Sequence, residues 1–136
     1  MKFQLAFICS LGLLALACGG GGGTSSSSAS VEENKARLLA TNECIGGDLS
    51  GVNLSGNILN NALLRSANLR GADLSKTSLR NADFQNAKLN FSNMRFSDLS
   101  YANLRNADLS NADLTGAHFT GANLQDTNFA GATGAP

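Results

Sequence analysis

The large apolar residues of this chain recur at every fifth position between residues 49 and 129. Seventeen such positions follow one another without a slip in register. We call each of them the centre of a five-residue unit. The centres are Leu49, Leu54, Leu59, Leu64, Leu69, Leu74, Leu79, Phe84, Leu89, Met94, Leu99, Leu104, Leu109, Leu114, Phe119, Leu124 and Phe129. An α-helix has 3.6 residues per turn and a β-strand has a period of two, so neither explains this spacing.

Small and polar residues also hold fixed places around each centre. The residue two positions before the centre is small, and it is Ala in ten of the seventeen units. The residue between them, here called the outward position, is usually Asp or Asn. In extended backbone alternate side chains point to opposite sides, so the small residue and the centre point inwards. The next small residue comes three positions after the centre, so the chain has to turn a corner there.

The residue two positions after each centre, here called the fifth position, suits that corner. It is Gly or Asn in eleven units, and both types tolerate a positive φ. Repeated corners bring the chain back over itself, so that its coils stack about 4.8 Å apart around one shared core. The pattern predicts a repeat solenoid.

The repeated pattern A-(D/N)-L-x-x closely resembles the pentapeptide-repeat family. The resemblance covers residues 47–131 and implies the fold of that family, an all-β solenoid built as a right-handed quadrilateral β-helix. Coils of twenty residues would then form a rod about 20 Å long. The segment "LLATNECIGGDLSGVNLSG" also resembles the start of many family members, where two cysteines flank two residues. Only Cys44 is present here, because Gly47 stands where the second cysteine would be.

A short helix is predicted immediately before the repeats. Ser30 and Glu33 have the spacing of a capping box, and Glu32 and Glu33 would lie at the positive end of the helix dipole. We expect a helix over residues 31–41 within an N-terminal segment, 31–46, whose apolar face covers the first coil as a capping helix. Residues 132–136 remain as a C-terminal tail.

The first seventeen residues have the character of a signal peptide. Lys2 is followed by an uncharged apolar run of about fifteen residues, which is short for a membrane-spanning helix. The end of this run, "LALAC", resembles a bacterial lipobox. That resemblance implies cleavage before Cys18 and lipid on its sulfur and amino group, the latter usually an acyl chain such as palmitate. The alternative is an ordinary signal peptide cleaved near Ala17.

Residues 19–30, "GGGGGTSSSSAS", form a low-complexity tether that follows the proposed lipid. Twelve such residues span roughly 20 Å. We therefore expect a bacterial cell-envelope protein held to a membrane through Cys18. Gly19 after the cysteine resembles the outer-membrane class of lipoproteins in a Gram-negative cell, facing the periplasm or the surface. Cys9 would leave with the signal peptide, so Cys44 is expected to be a buried residue or an intermolecular link.

Charge and residue types argue against several functions. The chain has 10 Lys and Arg against 10 Asp and Glu, so nucleic acid is not an expected partner. His118 is the only histidine, and no motif suggests a catalytic, cofactor or metal site. Some pentapeptide-repeat proteins imitate DNA and act on type II topoisomerases, which is the alternative function. The neutral charge and the export signal disfavour it, and we expect a non-enzymatic structural or protein-interaction module.

Three aromatic residues interrupt the small and polar residues of the fifth position. Phe91, Phe96 and Tyr101 occupy it in three successive units, and we call this group the aromatic belt. It is either a protein contact site or a set of rings that pack over neighbouring backbone. Ile58 and Leu63 are apolar at the outward position, and we expect them to pack under the N-terminal helix or tail. The last coil lacks an obvious cap, so weak end-to-end homodimers are a further expectation.

Overall fold

The computed structural model describes residues 29–136. Helix α1 spans Val31–Thr41, as the sequence predicts. Its capping box is complete, because Glu33 N donates to Ser30 Oγ at 3.3 Å and Ser30 N donates to Glu33 Oε2 at 2.9 Å. The helix ends at Asn42, whose φ of 62° is left-handed and whose N–H donates to Leu38 O.

A stack of four-sided coils follows the helix. Fifteen parallel bridges join outward positions twenty residues apart, from Glu43 with Leu63 to Asp113 with Thr133. Each side of a coil contributes one bridging residue, so residues 29–136 contain no continuous β-strand. The coils therefore extend beyond the predicted range of 47–131. The first begins one unit earlier, because Cys44 occupies a centre.

Backbone hydrogen bonds run along all four sides of the stack. For example, Leu49 N donates to Asn68 O at 2.7 Å, and Asn68 N donates to Gly47 O at 2.9 Å. Each corner is closed by a bond from the small residue to the preceding centre, as from Val52 N to Leu49 O at 3.2 Å. The fifth position has a φ near +60° in every unit, which is why Gly and Asn dominate there.

The outward Asp or Asn has a local role that the repeat pattern did not reveal. Its Oδ1 accepts a hydrogen bond from the backbone N–H two residues later, inside the corner. Twelve residues do this: Asp48, Asn53, Asn68, Asp73, Asp83, Asn93, Asp98, Asn103, Asp108, Asp113, Asn123 and Asn128. The Asp and Asn residues at the outward positions therefore stabilise the corners.

The core consists of the centres and the small residues beside them. Every centre from Cys44 to Leu114 is buried, whereas those of the last described coil are partly buried. In that last coil the Phe119 and Phe129 rings meet edge to face, with centroids 6.5 Å apart. Two large rings therefore lie over the end of the leucine stack, where the sequence showed no cap.

Helix α1 and its C-cap residue Asn42 are attached to the first coil by apolar and polar contacts. Leu38 is fully buried and belongs to the same apolar cluster as the centres. The Nδ2 of Asn34 donates to Asp48 O at 2.9 Å, and the Nδ2 of Asn42 donates to Asn60 O at 2.7 Å. These two amides satisfy carbonyls on the edge of the first coil, which has no earlier coil to pair with.

Candidate functional site: the aromatic belt

The aromatic belt lies on three successive corners of one coil near the middle of the stack. Phe91, Phe96 and Tyr101 are each 53–56% exposed. Their φ angles are 63°, 57° and 62°, in the left-handed region. This conformation costs a non-glycine residue about 1–2 kcal/mol, and bulky residues seldom adopt it. Strain of this kind at three adjacent corners marks the belt as a candidate functional site.

An arginine lies over each of the three rings. The guanidinium carbon of Arg70 is 5.2 Å from the Phe91 centroid, and that of Arg80 is 6.0 Å from the Tyr101 centroid. Arg95 lies 5.6 Å from the Phe96 centroid. Exposed pairs of this kind contribute about 0.5–1 kcal/mol each. The arginines therefore offset part of the backbone strain.

Two of the rings also pack against backbone of the next coil. A Cβ added at Gly116 would lie 2.5 Å from Phe96 Cδ1, and one added at Gly121 would lie 2.6 Å from Tyr101 Cδ1. Packing over neighbouring backbone, one of the two expected explanations, is thus confirmed for Phe96 and Tyr101. The rings stay half exposed all the same, so a role in binding stays a prediction.

The charged residues around the belt are largely paired. Arg65 binds Asp83, while Arg80 Nη1 lies 3.2 Å from Asp98 Oδ2 and Arg95 Nη1 lies 3.1 Å from Asp113 Oδ2. These pairs are substantially exposed, so each contributes little to stability. They neutralise three of the seven Asp in the repeats and leave no continuous acidic face on those sides.

Outward positions that are twenty residues apart form a column along the rod, here called a ladder. Between residues 43 and 133 no ladder has acidic residues on two adjacent coils. Instead, a donor on the next coil binds the Oδ1 of five of the six outward Asp residues. Asn68 Nδ2 lies 2.9 Å from Asp48 Oδ1, and the same bond joins Asn93 to Asp73, Asn103 to Asp83 and Asn128 to Asp108 at 3.0–3.1 Å. This alternation avoids stacking like charges on adjacent coils.

Hydrogen bonds at the corners lower the pKa of several of these carboxyls. The Thr115 hydroxyl and then its N–H hold the pKa of Asp113 well below its ordinary value, with smaller help from Arg95 and Thr133. The pKa of Asp98 is lowered chiefly by Ser100, and that of Asp48 chiefly by Ser50. The ladders therefore favour ionised carboxylates.

The other predicted positions have different outcomes. Cys18, the predicted lipidation site, lies outside the described residues. Cys44 is fully buried, as expected. His118 is exposed at an outward position, in the same ladder as Asp98.

The expectation for Ile58 was wrong. Its side chain is 79% exposed, so it does not pack under helix α1. Leu63 is also exposed, at 38%. The cause is geometric, because the helix contacts the end of the first coil through Leu38 and Asn34, whereas outward positions face away from the core.

No group of three or more His, Cys, Asp or Glu residues within 29–136 is arranged to hold a metal ion. In the same range no helix has the length and apolar character needed to cross a bilayer.

Sequence reasoning missed the three arginines of the belt and the two glycines beside it. Arg70 and Arg80 precede their rings by 21 residues, and Gly116 and Gly121 follow theirs by twenty. Once the coil length is known, these offsets place the residues on adjacent coils. The offsets of 20 and 21 residues are present in the sequence, but they indicate contacts only once the coil is known to have twenty residues.

The comparisons with known proteins agree with this geometry. The family described as "Pentapeptide repeats" matches the chain with eight copies, over residues 48–86, 77–116 and 97–133. A pentapeptide repeat protein from Nostoc PCC 7120, alr5209, has a TM-score of 0.57 and 25% identity, over 68% of this chain and 90% of that chain. No curated protein matches the chain.

Two further solved structures are similar in sequence. Rfr23, a pentapeptide repeat protein from the cyanobacterium Cyanothece 51142, is 29% identical over 76% of this chain and 94% of its own, with a TM-score of 0.47. HetL from Nostoc sp. strain PCC 7120 is 31% identical over 66% of this chain and 52% of its own, with a TM-score of 0.48. Pentapeptide repeat proteins form right-handed quadrilateral β-helices, and the likeness to alr5209 supports that fold here. The matched repeats and the four-sided coils together show that the chain belongs to the pentapeptide-repeat family.

Proposed function

We propose that this protein is a non-enzymatic, lipid-anchored rod of the bacterial cell envelope that binds another envelope protein through its aromatic belt. The observation that carries the binding role is the strain at the belt. Three aromatic residues hold left-handed conformations at adjacent corners and remain about half exposed. Gly or Asn would avoid most of that cost, so the rings serve a purpose beyond the fold.

The exposed chemistry of the belt suits a protein partner. Tyr and Arg are enriched among the residues that dominate protein–protein binding, and Phe is common in such interfaces. Arg80 and Arg95 are already held by rings and carboxylates, so little side-chain entropy would be lost on binding. The paired charges support this role over imitation of DNA, which requires a strongly acidic surface.

The anchor is proposed from the sequence. A signal peptide over residues 1–17, lipid on Cys18 and the tether of residues 19–30 would attach the rod to a membrane. Replacement by Cys18→Ser should move the protein from the membrane fraction to the soluble fraction. If the substituted protein stays with the membranes as the wild type does, the lipid anchor is refuted.

End-to-end association of two copies remains a secondary proposal. The last described coil leaves backbone N–H groups of Phe119, Leu124 and Phe129 without a paired coil within residues 29–136. Such an edge can pair with another chain. A monomeric mass at high concentration, with slow exchange of these amides, would refute it.

The belt is tested by in-cell crosslinking. The triple variant Phe91→Asn, Phe96→Asn and Tyr101→Asn keeps a residue type that already occupies the fifth position at Asn86 and Asn106, so the fold should persist. The matched control replaces Asn81, Asn86 and Asn106 with Gly. We expect the wild type and the control to crosslink to the same protein and the triple variant to lose it. Equal capture by a folded triple variant would assign the belt to packing alone.

A further inference from the structure

The exposed large aliphatic residues of the described chain are gathered at one end. They are Leu39, Ile45, Ile58 and Leu63, with exposed fractions of 47%, 40%, 79% and 38%. Among residues 64–136 the exposed large apolar residues are the three aromatics of the belt. We call the four aliphatic residues the apolar collar. It lies on helix α1 and on two adjacent sides of the first coils, at the N-terminal end of the described residues.

The collar breaks the rules of the repeat at three positions. Ile58 and Leu63 stand at outward positions, where twelve Asp or Asn residues accept a hydrogen bond from their own corner. Ile45 stands directly after a centre, where the sixteen units from 49 to 124 have a polar residue. Two successive units thus give up a corner bond in order to expose an aliphatic side chain. A local rule broken without a gain in packing points to function.

The collar residues lie close together around the rod. Cys44 N donates to Leu63 O at 2.8 Å, so Ile45 and Leu63 belong to one side of the rod in adjacent coils. Ile58 precedes Leu63 by a single corner. Leu39 lies in the last turn of helix α1. The chain passes from Leu39 through Asn42 directly into the side that holds Ile45.

We propose that the collar rests on the lipid bilayer to which Cys18 anchors the chain. This inference depends on the proposed lipid anchor. A flexible tether of twelve residues has a typical end-to-end distance of roughly 20 Å, so the N-terminal end of the rod stays near the lipid headgroups. Four aliphatic residues alone would bind a bilayer weakly, since even one myristoyl chain gives marginal binding. The tether supplies the high local concentration that makes a weak contact persist.

The chemistry of the collar favours lipid over a protein partner. Leu and Ile enter hydrocarbon favourably, whereas Leu is under-represented among the residues that dominate protein interfaces. The aromatic residues typical of protein contacts lie instead at the belt, more than one coil beyond Leu63. The two surfaces therefore divide the rod into a membrane-facing end and a partner-facing middle.

Single-tryptophan variants test this proposal without background indole fluorescence, because the chain contains no Trp. Ile58→Trp places an indole in the collar. His118→Trp places one in the same ladder three coils farther along, about 14 Å away at the usual coil spacing. The purified lipidated proteins are reconstituted in vesicles of phosphatidylethanolamine and phosphatidylglycerol with brominated acyl chains, which quench nearby indoles.

We expect the Ile58→Trp protein to lose most of its fluorescence in brominated vesicles and the His118→Trp protein to keep most of its own. Adding Ile45→Asn and Leu63→Asn to the first protein should restore its fluorescence. The folding control is a circular dichroism melt whose midpoint is no lower than that of the Ile58→Trp protein. Equal quenching at both positions, or none at either, overturns the proposal. A concentration-dependent shift of the Ile58→Trp spectrum without vesicles would assign the collar to a second copy and also overturn it.

Intact mass separates the collar from the anchor. A protein with acyl chains on Cys18 and an unquenched Ile58→Trp indole would refute the collar alone. A protein without acyl chains would refute the anchor, and the collar proposal would fail with it.

Discussion

Phe96 and Gly116 occupy the same corner in successive coils, and the ring of Phe96 fills the space in which a side chain at Gly116 would lie. Tyr101 and Gly121 repeat this relationship at the next corner. A large residue at the fifth position therefore requires glycine one coil later at these corners. This requirement joins the belt to the fold and gives the first prediction.

Gly116→Asn should destabilise the rod by about 1–3 kcal/mol, because the new Cβ would overlap Phe96 Cδ1 at 2.5 Å. Gly71→Asn is the matched control, since Gly71 has a φ of +67° and a Cβ added there would have no neighbour within 4 Å. Thermal melts of both variants give the comparison. Adding Phe96→Asn to Gly116→Asn should recover most of the loss. Equal melting of the two glycine variants would contradict the packing of Phe96.

Leu109→Asp should destabilise the stack by about 4 kcal/mol or more, because it places an unpaired charge among fully buried centres. Asn111→Asp adds the same charge at an exposed corner and serves as the control. Chemical denaturation measures the difference in the free energy of unfolding. A Leu109→Asp protein as stable as the wild type would refute the assignment of the inward positions.

Asn68→Asp should destabilise the rod by up to about 1 kcal/mol at neutral pH, because two carboxylates would then stack where Asn68 now donates to Asp48. The effect should shrink at high salt, which screens exposed charges. Asn123→Asp is the control, since its neighbour along the ladder is Asn103 rather than an acidic residue. Equal melts for the two variants at low salt would mean that the alternation of Asp and Asn has no energetic role.

Stability should fall in acid through the carboxyls of the ladders. The pKa values of Asp48, Asp98 and Asp113 are lower in the folded protein than their ordinary values, so the folded state binds fewer protons than the unfolded state. Their contribution to stability is therefore fully present above the ordinary Asp pKa of about 4. It is lost as the pH falls below that value and through the lower pKa values of the folded state. Melts between pH 7 and pH 2 should show a declining midpoint, with a smaller decline for Asp113→Asn. A melting midpoint that rises in acid would contradict the lowered pKa values of these carboxyls.

Ile58→Asn should raise the melting temperature, because it restores a corner hydrogen bond worth about 0.5–1.5 kcal/mol and removes an exposed aliphatic side chain. Leu63→Asn should act in the same direction. Ser78→Asn, at the next position of the ladder, is a useful comparison because the Asn60 side chain already binds Arg80 N–H at that corner. A lower melting temperature for Ile58→Asn would show that Ile58 stabilises the fold itself.

The repeat pattern predicted the parts of the structure that depend on periodicity. Burial of Leu49, Leu109 and the other inward residues follows from the alternation of extended backbone between corners. The pattern of small, polar and apolar residues could not show which side chains meet across coils. Asn68 and Asp48 are twenty residues apart, and their contact exists only once the coil length is fixed.

Ile58 shows the second limit of the sequence. An apolar residue at an outward position suggested a cover, because exposed aliphatic side chains are unfavourable in water. The structure leaves it exposed, since helix α1 contacts the coil end instead. The strained aromatic corners were visible as unusual residues, whereas their arginine and glycine neighbours emerged from the stacking of coils.

The intact mass of the mature protein purified from bacterial envelopes tests the central claim most directly. The account predicts a chain that begins at Cys18 and carries a diacylglyceryl thioether and an amide-linked acyl chain. A chain that begins elsewhere, or one whose Cys18 sulfur is joined to Cys44 in a disulfide, could not carry that lipid. Either result would contradict the membrane anchor and leave a pentapeptide-repeat rod without the attachment proposed for it.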